Sequence, residues 1–458
     1  MLGRAGDQRG AAVGRVLAVA RDRPDQDEAE GVRDDRDDED DQPDRRAVRV
    51  ARTCGDDSIS GGDAARALRL GSRAKDFQWS AEHLAFRDEV RALIHEWRTP
   101  ELLAEYAKSY GADGPLLRRF RAALVERGFL EKCFPMEAGA AGDALLQFLF
   151  VEEMEYWGMP YGNLTYTSIG PTLSRFGSED QQRRYLPGIR DGSLCFALGY
   201  SEPNAGSDLA SLRTKAVRVG DEWVIDGQKI WTSLADVATH IWLAARTDPD
   251  APRHQGISLF IVPRTAPGVT VRPLPAMYGG HTNETFYDGV RVPHADLVGQ
   301  PNQGWPIIMH ALNHERVALA ATGGLARLFD ELVAWLAKER PQKLADPLVR
   351  RRLAELELDL HEHRALAWRN AWIISQGGLP ISEASMAKVS GTELRARLAN
   401  TALDLLGREG ALSRDEADAP AEGRLEFAYR IAPIFRFGGG TNEIMRDIIA
   451  AAGLRLPR

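Results

Sequence analysis

The stretch CFALGYSEPNAGSDLASLRT, residues 195–214, and the nearby segment GQKIWTSLA, residues 227–235, decide how the chain is interpreted. The first contains a Ser-Glu-Pro turn, the small residues Ala-Gly-Ser and an aspartate, which together predict a polar loop with exposed backbone. Trp231 follows Ser207 by 24 positions and supplies an aromatic wall, with two hydroxyl side chains directly after it. Either segment alone is more typical of a structural turn or a core tryptophan. As a pair they suit a flat, hydrogen-bonding ligand such as an isoalloxazine.

The hydrophobic periodicity changes on both sides of these segments. Residues 214–233 alternate with a period of two and carry Gly-Asp and Asp-Gly turn pairs, so they predict short strands, and similar patterns continue to about Leu297. Amphipathic helical patterns precede this region from Ser80 and follow it from Gly304. The chain is therefore predicted to be α+β and multidomain, helical first, then β, then helical. The first helix is expected to bury Leu84, Phe86, Val90, Leu93 and Ile94.

Residues 1–75 differ in composition from the rest of the chain. They include RDRPDQDEAEGVRDDRDDEDDQPDRRAVR, which is rich in Asp and Arg and poor in large apolar side chains. Such a segment cannot bury enough apolar surface to fold. A disordered extension, or upstream sequence translated by mistake, is favoured over a charged interaction tail.

The bulk composition limits the classes of function. A chain of 458 residues is long enough for about three domains, and its net charge of −8 gives no electrostatic reason to expect nucleic acid or an anionic membrane as a partner. No run approaches the ~20 apolar residues of a membrane span. Cys54, Cys133 and Cys195 are scattered, which favours a reducing cytoplasm without a disulfide framework or a thiolate metal site.

A metal site is also not expected from the histidines. His361 and His363 stand at positions i and i+2 of a predicted helix, so their side chains point to different sides. A solvated surface position is expected for both. No phosphate-binding Gly-x-x-x-x-Gly-Lys loop and no Gly-x-Gly-x-x-Gly fingerprint occurs.

Several motifs, taken in order, resemble those of the acyl-CoA dehydrogenase family. GYSEPNAGSD is similar to the family's Thr/Ser-Glu-Pro-x-Ala-Gly-Ser-Asp signature, and GDEWVIDGQKIWTS to the strand pair that ends in its flavin-stacking Trp. FYDGVRVP and GWPIIMHALNHER resemble its domain junction, and GGGTNEIMRD its closing motif. The resemblance runs from about Asp76 to Arg458.

The resemblance implies a fold, a cofactor and a set of site residues. The fold is a helical N-terminal domain (76–194), a middle β domain of barrel-like sandwich type (195–302) and a C-terminal four-helix bundle (303–458), with FAD between the last two. Tyr200 and Ser201 would bond the flavin pyrimidine edge, while Trp231 and Ser233 would lie near its N5. The implied cofactor-binding set is Tyr200, Ser201, Gly206, Trp231, Thr232, Ser233, Arg340, Thr441, Asn442 and Glu443, and the implied substrate-binding set is Ser207, Asn313, Arg316 and Gly440.

The reaction implied is α,β-dehydrogenation of an acyl-CoA thioester, which needs a carboxylate base. Many family members place this Glu immediately before the Gly-Thr of the closing motif, where this chain has Gly-Gly-Thr with Gly439 at the base position. A second branch of the family carries the Glu on the first long helix of the C-terminal domain, before an Arg. ALNHERVALA places Glu315 there, followed by Arg316. Glu315 is therefore predicted to be the base, and the Gly439 N–H to bond the thioester oxygen.

Two motifs that the family gives to the FAD of a neighbouring subunit are altered. ERPQKLADP retains Arg340 but has Lys343-Leu344 in place of Phe-Gly, and DLLGREG has Asp404 for Gln and Arg408 for the second Gly. This asymmetry resembles actinobacterial members that form heterotetramers and act on steroid-derived thioesters. The partners implied are an acyl-CoA, an electron-transfer flavoprotein, and either identical subunits or an unlike dehydrogenase-like chain. A non-catalytic subunit, and a flavin oxidase or monooxygenase on the same fold, stay open as alternatives.

Overall fold

The computed structural model describes residues 79–109, 114–134, 136, 142–161, 164–319 and 321–457, with the backbone alone at 108–109 and 313–319. The extension predicted for residues 1–75 lies outside these described residues. Residues 81–458 form one compact unit. No helix in the described ranges has the length and apolarity needed to cross a bilayer.

Helices form the first part of the described chain. The first helix buries Phe86, Val90, Leu93 and Ile94 at helical spacing, whereas Leu84, predicted to join them, is 36% exposed. A π-helical turn at Thr165–Ile169 precedes α6. The helices are α1 (Ala81–Trp97), α2 (Pro100–Ser109), α3 (Pro115–Glu126), α4 (Phe129–Cys133), α5 (Ala144–Trp157), α6 (Gly170–Phe176) and α7 (Glu179–Asp191).

A mixed sheet follows, as the alternating pattern predicts. Its strands are β1 (Phe196–Gly199), β2 (Lys215–Val219), β3 (Glu222–Lys229), β4 (His240–Arg246), β5 (Ile257–Pro263), β6 (Val269–Pro275), β7 (His281–Pro293) and β8 (Leu297–Val298). Their order is β6-β7-β3-β2-β4-β5-β8, with β1 parallel to β4. Trp223 on β3 pairs with Val292 on β7, and a bulge lies between Ile225 and Gly227. The bulge comes just before the Trp231 turn, where bulges commonly redirect side chains.

The centre of the sheet is buried on both faces. Trp242 on β4 and Phe260 on β5 are fully buried. Phe260 belongs to a hydrophobic core to which several strands contribute buried side chains. Trp242 instead contacts Phe196 edge-on, with ring centroids 6.5 Å apart. Burying side chains of this size contributes roughly 1.5–3 kcal/mol each. The sheet is therefore a rigid support for the loops at its ends.

The chain ends in long packed helices. They are α8 (Gly304–Leu319), α9 (Gly323–Glu339), α10 (Pro341–Ala345), α11 (Pro347–Ser375), α12 (Ile381–Leu406), α13 (Arg424–Phe437) and α14 (Asn442–Ile448). Helix α12 packs against α11, α13 and α14. Together with the helical first part and the middle sheet, these helices confirm the predicted three-part fold class.

One surface prediction for this region is wrong. His361 is exposed, but His363 is fully buried between α11 and α12. A Cβ at Gly391 on α12 would lie 2.5 Å from the His363 ring, so only a glycine leaves room for it. The i, i+2 spacing correctly separates the two side chains but does not indicate which side faces the core.

Candidate active site

A buried ion pair holds the Ser-Glu-Pro loop against the end of β3. Lys229 Nζ donates to Glu202 Oε1 at 2.8 Å and to the Tyr200 carbonyl at 3.0 Å. Glu202 also accepts the N–H groups of Arg213 and Thr214, at 2.7 and 2.8 Å. These four hydrogen bonds favour one geometry of the loop.

The electrostatics of this pair follow from burial. Burial lowers the pKa of Lys229 to about 8, although Glu202 opposes the shift. Burial alone would raise the pKa of Glu202, but Lys229 and the N–H donors outweigh it and leave that pKa below the ordinary value. Lys229 and Glu202 therefore offset each other's burial, and each is held by hydrogen bonds.

The turn after β3 presents Trp231 to solvent in an unusual backbone conformation. Trp231 has a φ of 60° and is 63% exposed. The next residue, Thr232, is fully buried and exchanges backbone and amide hydrogen bonds with Asn283 on β7, at 2.9 and 3.0 Å. Left-handed φ is rare in bulky residues and is found where the surroundings impose it, often at functional sites. The structure therefore shows an indole face that the turn holds outward.

The Ser-Glu-Pro loop is joined to this turn at Ser201. The Ser201 carbonyl accepts the Ile230 N–H at 2.9 Å, which links the two segments directly. Gly206 and Ser207 are exposed, and a Cβ at Gly206 would meet nothing within 4 Å. Ser233 lies 3.4 Å from the Thr282 hydroxyl. The structure thus brings Tyr200, Ser201 and Trp231 together.

A second group forms where α13 turns into α14. Gly439 and Gly440 have φ values of 67° and 104°, which disfavour any side chain at either position. Thr441 caps α14 by accepting the Ile444 N–H at 3.2 Å. Asn442 is buried, and Glu443 is exposed.

Lys388, which sequence reasoning missed, fixes this turn from behind. Its fully buried Nζ donates to the Arg436 carbonyl at 3.0 Å, the Gly440 carbonyl at 2.7 Å and Asn442 Oδ1 at 2.8 Å. With the Gly440 carbonyl turned toward Lys388, the peptide plane of the glycine turn is set. In the sequence, Lys388 stands among small residues of α12, in AKVSG. A lysine is usually expected to face solvent, so the fold is needed to show that this one is buried.

Helix α13 is also docked onto the sheet. Arg430 on α13 donates to the Met277 carbonyl in the β6–β7 turn at 3.1 Å, and the Tyr278 and Phe427 rings meet edge-on at 6.2 Å. The glycine turn at the end of α13 is therefore held in a defined position relative to the β domain.

The predicted base belongs to α8. The structure describes the backbone of this helix through Leu319, and the side chains of Asn313, Glu315 and Arg316 lie outside the described residues. The preceding turn is firmly held, because the buried Ser168 hydroxyl donates to the Ala311 carbonyl at 2.8 Å. In an α-helix that carbonyl also accepts the N–H of the residue four positions on, which is Glu315.

The residues predicted to serve a neighbouring subunit are engaged within this chain. The Arg340 guanidinium pairs with Glu409 and lies 5.4 Å from the centre of the Trp335 ring. Asp404 accepts from Arg352 at 2.9 Å. The Arg340–Glu409 pair competes with any contact that Arg340 would make to a second subunit.

These groups fit a flat aromatic cofactor. Trp231 offers an outward indole face, and the Tyr200–Ser201 loop lies beside it. Gly439 and Gly440 leave the turn before α14 without side-chain bulk. One aromatic wall beside fixed polar groups, as Trp231 and the Tyr200–Ser201 loop provide, is typical of cofactor sites.

Three family models match the chain in sequence order. They describe the N-terminal domain (residues 80–193), the middle domain (197–290) and the C-terminal domain (302–454) of acyl-CoA dehydrogenase. Acyl-CoA dehydrogenase FadE26 of Mycobacterium tuberculosis is 39% identical over 386 residues, covering 81% of this chain and 96% of its own length. FadE29 of the same organism is 37% identical, covering 82% and 97%.

Solved structures agree with this assignment. The Tcur3481-Tcur3483 steroid ACAD has a TM-score of 0.77 and 39% identity, covering 84% of this chain and 100% of that one. The ChsE4-ChsE5 complex from Mycobacterium tuberculosis has a TM-score of 0.76 and 38% identity, with the same coverage. Both are similar to this chain in sequence as well as in fold.

Proposed function

This chain belongs to the acyl-CoA dehydrogenase family, and we propose that it catalyses the FAD-dependent α,β-dehydrogenation of an acyl-CoA thioester with Glu315 as the base. The observation that carries the assignment of the base is the left-handed φ of Gly439. A glutamate in that backbone conformation would be strained, so the position suits glycine. The carboxylate is then supplied by α8, where Ser168 anchors the turn that precedes Glu315.

The proposed division of roles follows from the chemistry. FAD, when bound, supplies the acceptor for the hydride that leaves the substrate Cβ. Glu315 takes the proton from Cα, so the C–H electron pair forms the new double bond as the hydride departs. The Gly439 N–H donates to the thioester oxygen, where negative charge develops. Trp231 and the Tyr200–Ser201 loop would hold the flavin ring.

The substrate and the partners are finer proposals. Gly439 leaves space beside the thioester, which suits branched or bulky acyl chains. One relative of known structure is a steroid ACAD, and we extend a steroid-derived substrate to this chain on that likeness. The intrachain Arg340–Glu409 pair, together with relatives solved as two-chain complexes, supports a heterotetramer with an unlike dehydrogenase-like chain. Electrons would pass on to an electron-transfer flavoprotein.

Anaerobic bleaching of the flavin absorbance on adding acyl-CoA tests the proposal. In a Glu315→Gln variant, bleaching should slow by roughly 10²–10⁴-fold, the usual contribution of a general base, with flavin content unchanged. Glu355→Gln, on the exposed side of α11, is the matched control and should behave as wild type. Bleaching at the wild-type rate in Glu315→Gln would show that Glu315 is not the base. An enzyme that reacts with oxygen but is not reduced by acyl-CoA would favour the oxidase alternative.

A further inference from the structure

Arg395 lies on the face of α12 that holds the glycine turn. It follows Lys388 by seven residues, about two helical turns, so the two side chains leave the helix in nearly the same direction. Its guanidinium lies 4.3 Å from the centre of the Phe435 ring on α13, four residues before Gly439. Lys388 bonds the Gly440 carbonyl, and Arg395 is roughly 10 Å further along α12. Arg395 is therefore near the predicted thioester position but beyond it.

The guanidinium of Arg395 has hydrogen-bond donors to spare. Within the described ranges, no oxygen accepts a hydrogen bond from it, and its contact with Phe435 is to the ring. A guanidinium has five N–H donors and stays protonated in proteins. Burial lowers the pKa of Arg395, while Glu155 raises it. Taking such a group out of water without an acceptor is costly, so its donors are available to a ligand.

Glu155, near the end of α5, is the carboxylate that acts on Arg395, although no ion pair joins these two described residues. The Tyr161 hydroxyl donates to Glu155 Oε1 at 3.3 Å. A Cβ at Gly324, at the start of α9, would lie 3.4 Å from Glu155 Oε2. Burial raises the pKa of Glu155 to about 7, against the lowering by Arg395. Glu155 is therefore incompletely ionised near neutral pH and offsets only part of the Arg395 charge.

Arg395, Glu155 and Tyr161 together indicate an internal space. Each of the three is only half-buried, yet burial is the largest cause of its shifted pKa. Side chains on the outer surface would keep the ordinary hydration of their polar groups, so this combination is typical of groups that line an enclosed space. The space lies between α5, the start of α9, α12 and the end of α13, close to the elements that carry Glu315 and Gly439.

A neutral oxygen suits Arg395 better than a second carboxylate. A carboxylate would add negative charge beside Glu155, whereas an oxo or hydroxyl oxygen accepts from the guanidinium without doing so. Resting on the proposed function, we propose that Arg395 donates to an oxo or hydroxyl oxygen carried on the acyl body of the substrate, beyond the thioester. The substrate class is then an oxygenated acyl-CoA rather than one with a plain alkyl chain.

Calorimetry with thioesters that cannot be dehydrogenated tests this proposal. Each CoA thioester has sulfur in place of Cβ, and chains of hexanoyl to dodecanoyl length are compared with and without an oxo group next to the terminal methyl. On the flavin-loaded full-length protein, we expect the oxo probe to bind more tightly than its alkyl match at one chain length. Arg395→Met should weaken the oxo probe by roughly ten- to a hundredfold, the range for a hydrogen bond to a charged group, without weakening the alkyl probe.

Two further variants accompany Arg395→Met. Arg397→Met is the matched control, because Arg397 is on the same helix but its exposed guanidinium pairs with Asp359 at 2.7 Å. This variant should keep the wild-type preference for the oxo probe. Because Arg395→Met leaves Glu155 without the charge of Arg395, the double variant Glu155→Gln with Arg395→Met removes both charges. It should show the same loss of preference.

Three outcomes would overturn the proposal: equal affinity of the oxo and alkyl probes at every length, an oxo preference retained in both Arg395 variants, or an equal loss of both probes, which would indicate a structural role only. Tighter binding of a matched probe that ends in a carboxylate would show that the choice of a neutral oxygen is wrong. Because the probes cannot react, a failed bleaching test rejects the proposed function alone, and an absent oxo preference rejects this proposal alone. Absence of binding by every probe would reject both.

Discussion

Lys229 and Lys388 each direct a buried ammonium group at the backbone of a loop predicted to face the cofactor. Lys229 bonds the Tyr200 carbonyl and Glu202, and Lys388 bonds three oxygens around the glycine turn. A buried ammonium is tolerated only where acceptors offset its loss of hydration. The positions of Tyr200 and Gly440 therefore depend on two buried lysine side chains.

Replacing Lys388 with methionine should disturb the glycine turn more than the rest of the fold. The substitution keeps a long apolar stem but leaves the Gly440 and Arg436 carbonyls and Asn442 Oδ1 without their donor. We expect a loss of about 3 kcal/mol in the free energy of unfolding, measured in urea, and a higher KM for acyl-CoA as the Gly439 N–H shifts. Lys388→Arg should restore part of the stability.

Lys338→Met provides the control for this change, because the Lys338 side chain is 82% exposed and pairs only with its neighbour Glu339 in the described structure. If Lys388→Met matched that control in both stability and KM, the positioning role of Lys388 would be wrong.

At the scale of elements, the π-helical turn Thr165–Ile169 links the N-terminal helices to α8. Ser168 donates from this turn to the Ala311 carbonyl, and Thr172 of α6 lies 3.1 Å from His310 Nδ1. π-helical turns are rare and occur often at functional sites. This one contacts α8 one helical turn before the predicted base.

Ser168→Ala should therefore slow proton abstraction without removing the cofactor. Loss of the 2.8 Å bond lets the α8 backbone move at Ala311, and small displacements of a catalytic group are costly. We expect bleaching by acyl-CoA to slow by roughly tenfold, with unchanged flavin content. Ser385→Ala is the matched control for Ser168→Ala. The buried Ser385 hydroxyl also donates to a helix carbonyl at 2.8 Å, but it lies on α12. Equal rates in the two variants would contradict the proposed role.

The sequence predicts the regular helices and strands better than it predicts the irregular features between them. The period of two and the apolar helical faces indicate where strands and helices lie, because those patterns follow from burial of one face. The π-helical turn, the left-handed φ of Trp231 and the buried states of Lys388 and His363 are set by tertiary packing. No local sequence pattern predicts these features. The motif resemblance therefore identified Trp231 and the glycine turn, but it did not indicate which residues fix their conformation.

At the scale of the whole molecule, the chain retains the residues predicted to face its own cofactor and has altered those predicted to serve a neighbour. Trp231 and the Tyr200 loop are held by buried networks. In contrast, Arg340 pairs with Glu409, and Asp404 pairs with Arg352. An unlike partner that supplies the missing groups would account for both observations, since a homo-oligomer would repeat the same altered half at every interface.

Flavin content measures this asymmetry directly. We expect the chain purified alone to hold well under one FAD per subunit, and to gain FAD when co-expressed with a dehydrogenase-like chain that retains the Phe-Gly and Gln-x-x-Gly-Gly motifs. The triple substitution Asp404→Gln, Arg408→Gly and Glu409→Gln removes two carboxylates from the segment predicted to approach a neighbour's FAD. It also restores a glycine that would allow close backbone approach and releases Arg340 from Glu409. It should raise flavin retention by the chain alone, whereas Asp418→Asn, at an exposed position outside these motifs, should not.

Full FAD occupancy in a homo-oligomer of the wild-type chain would show that the altered residues still serve a neighbouring cofactor and that no unlike partner is required.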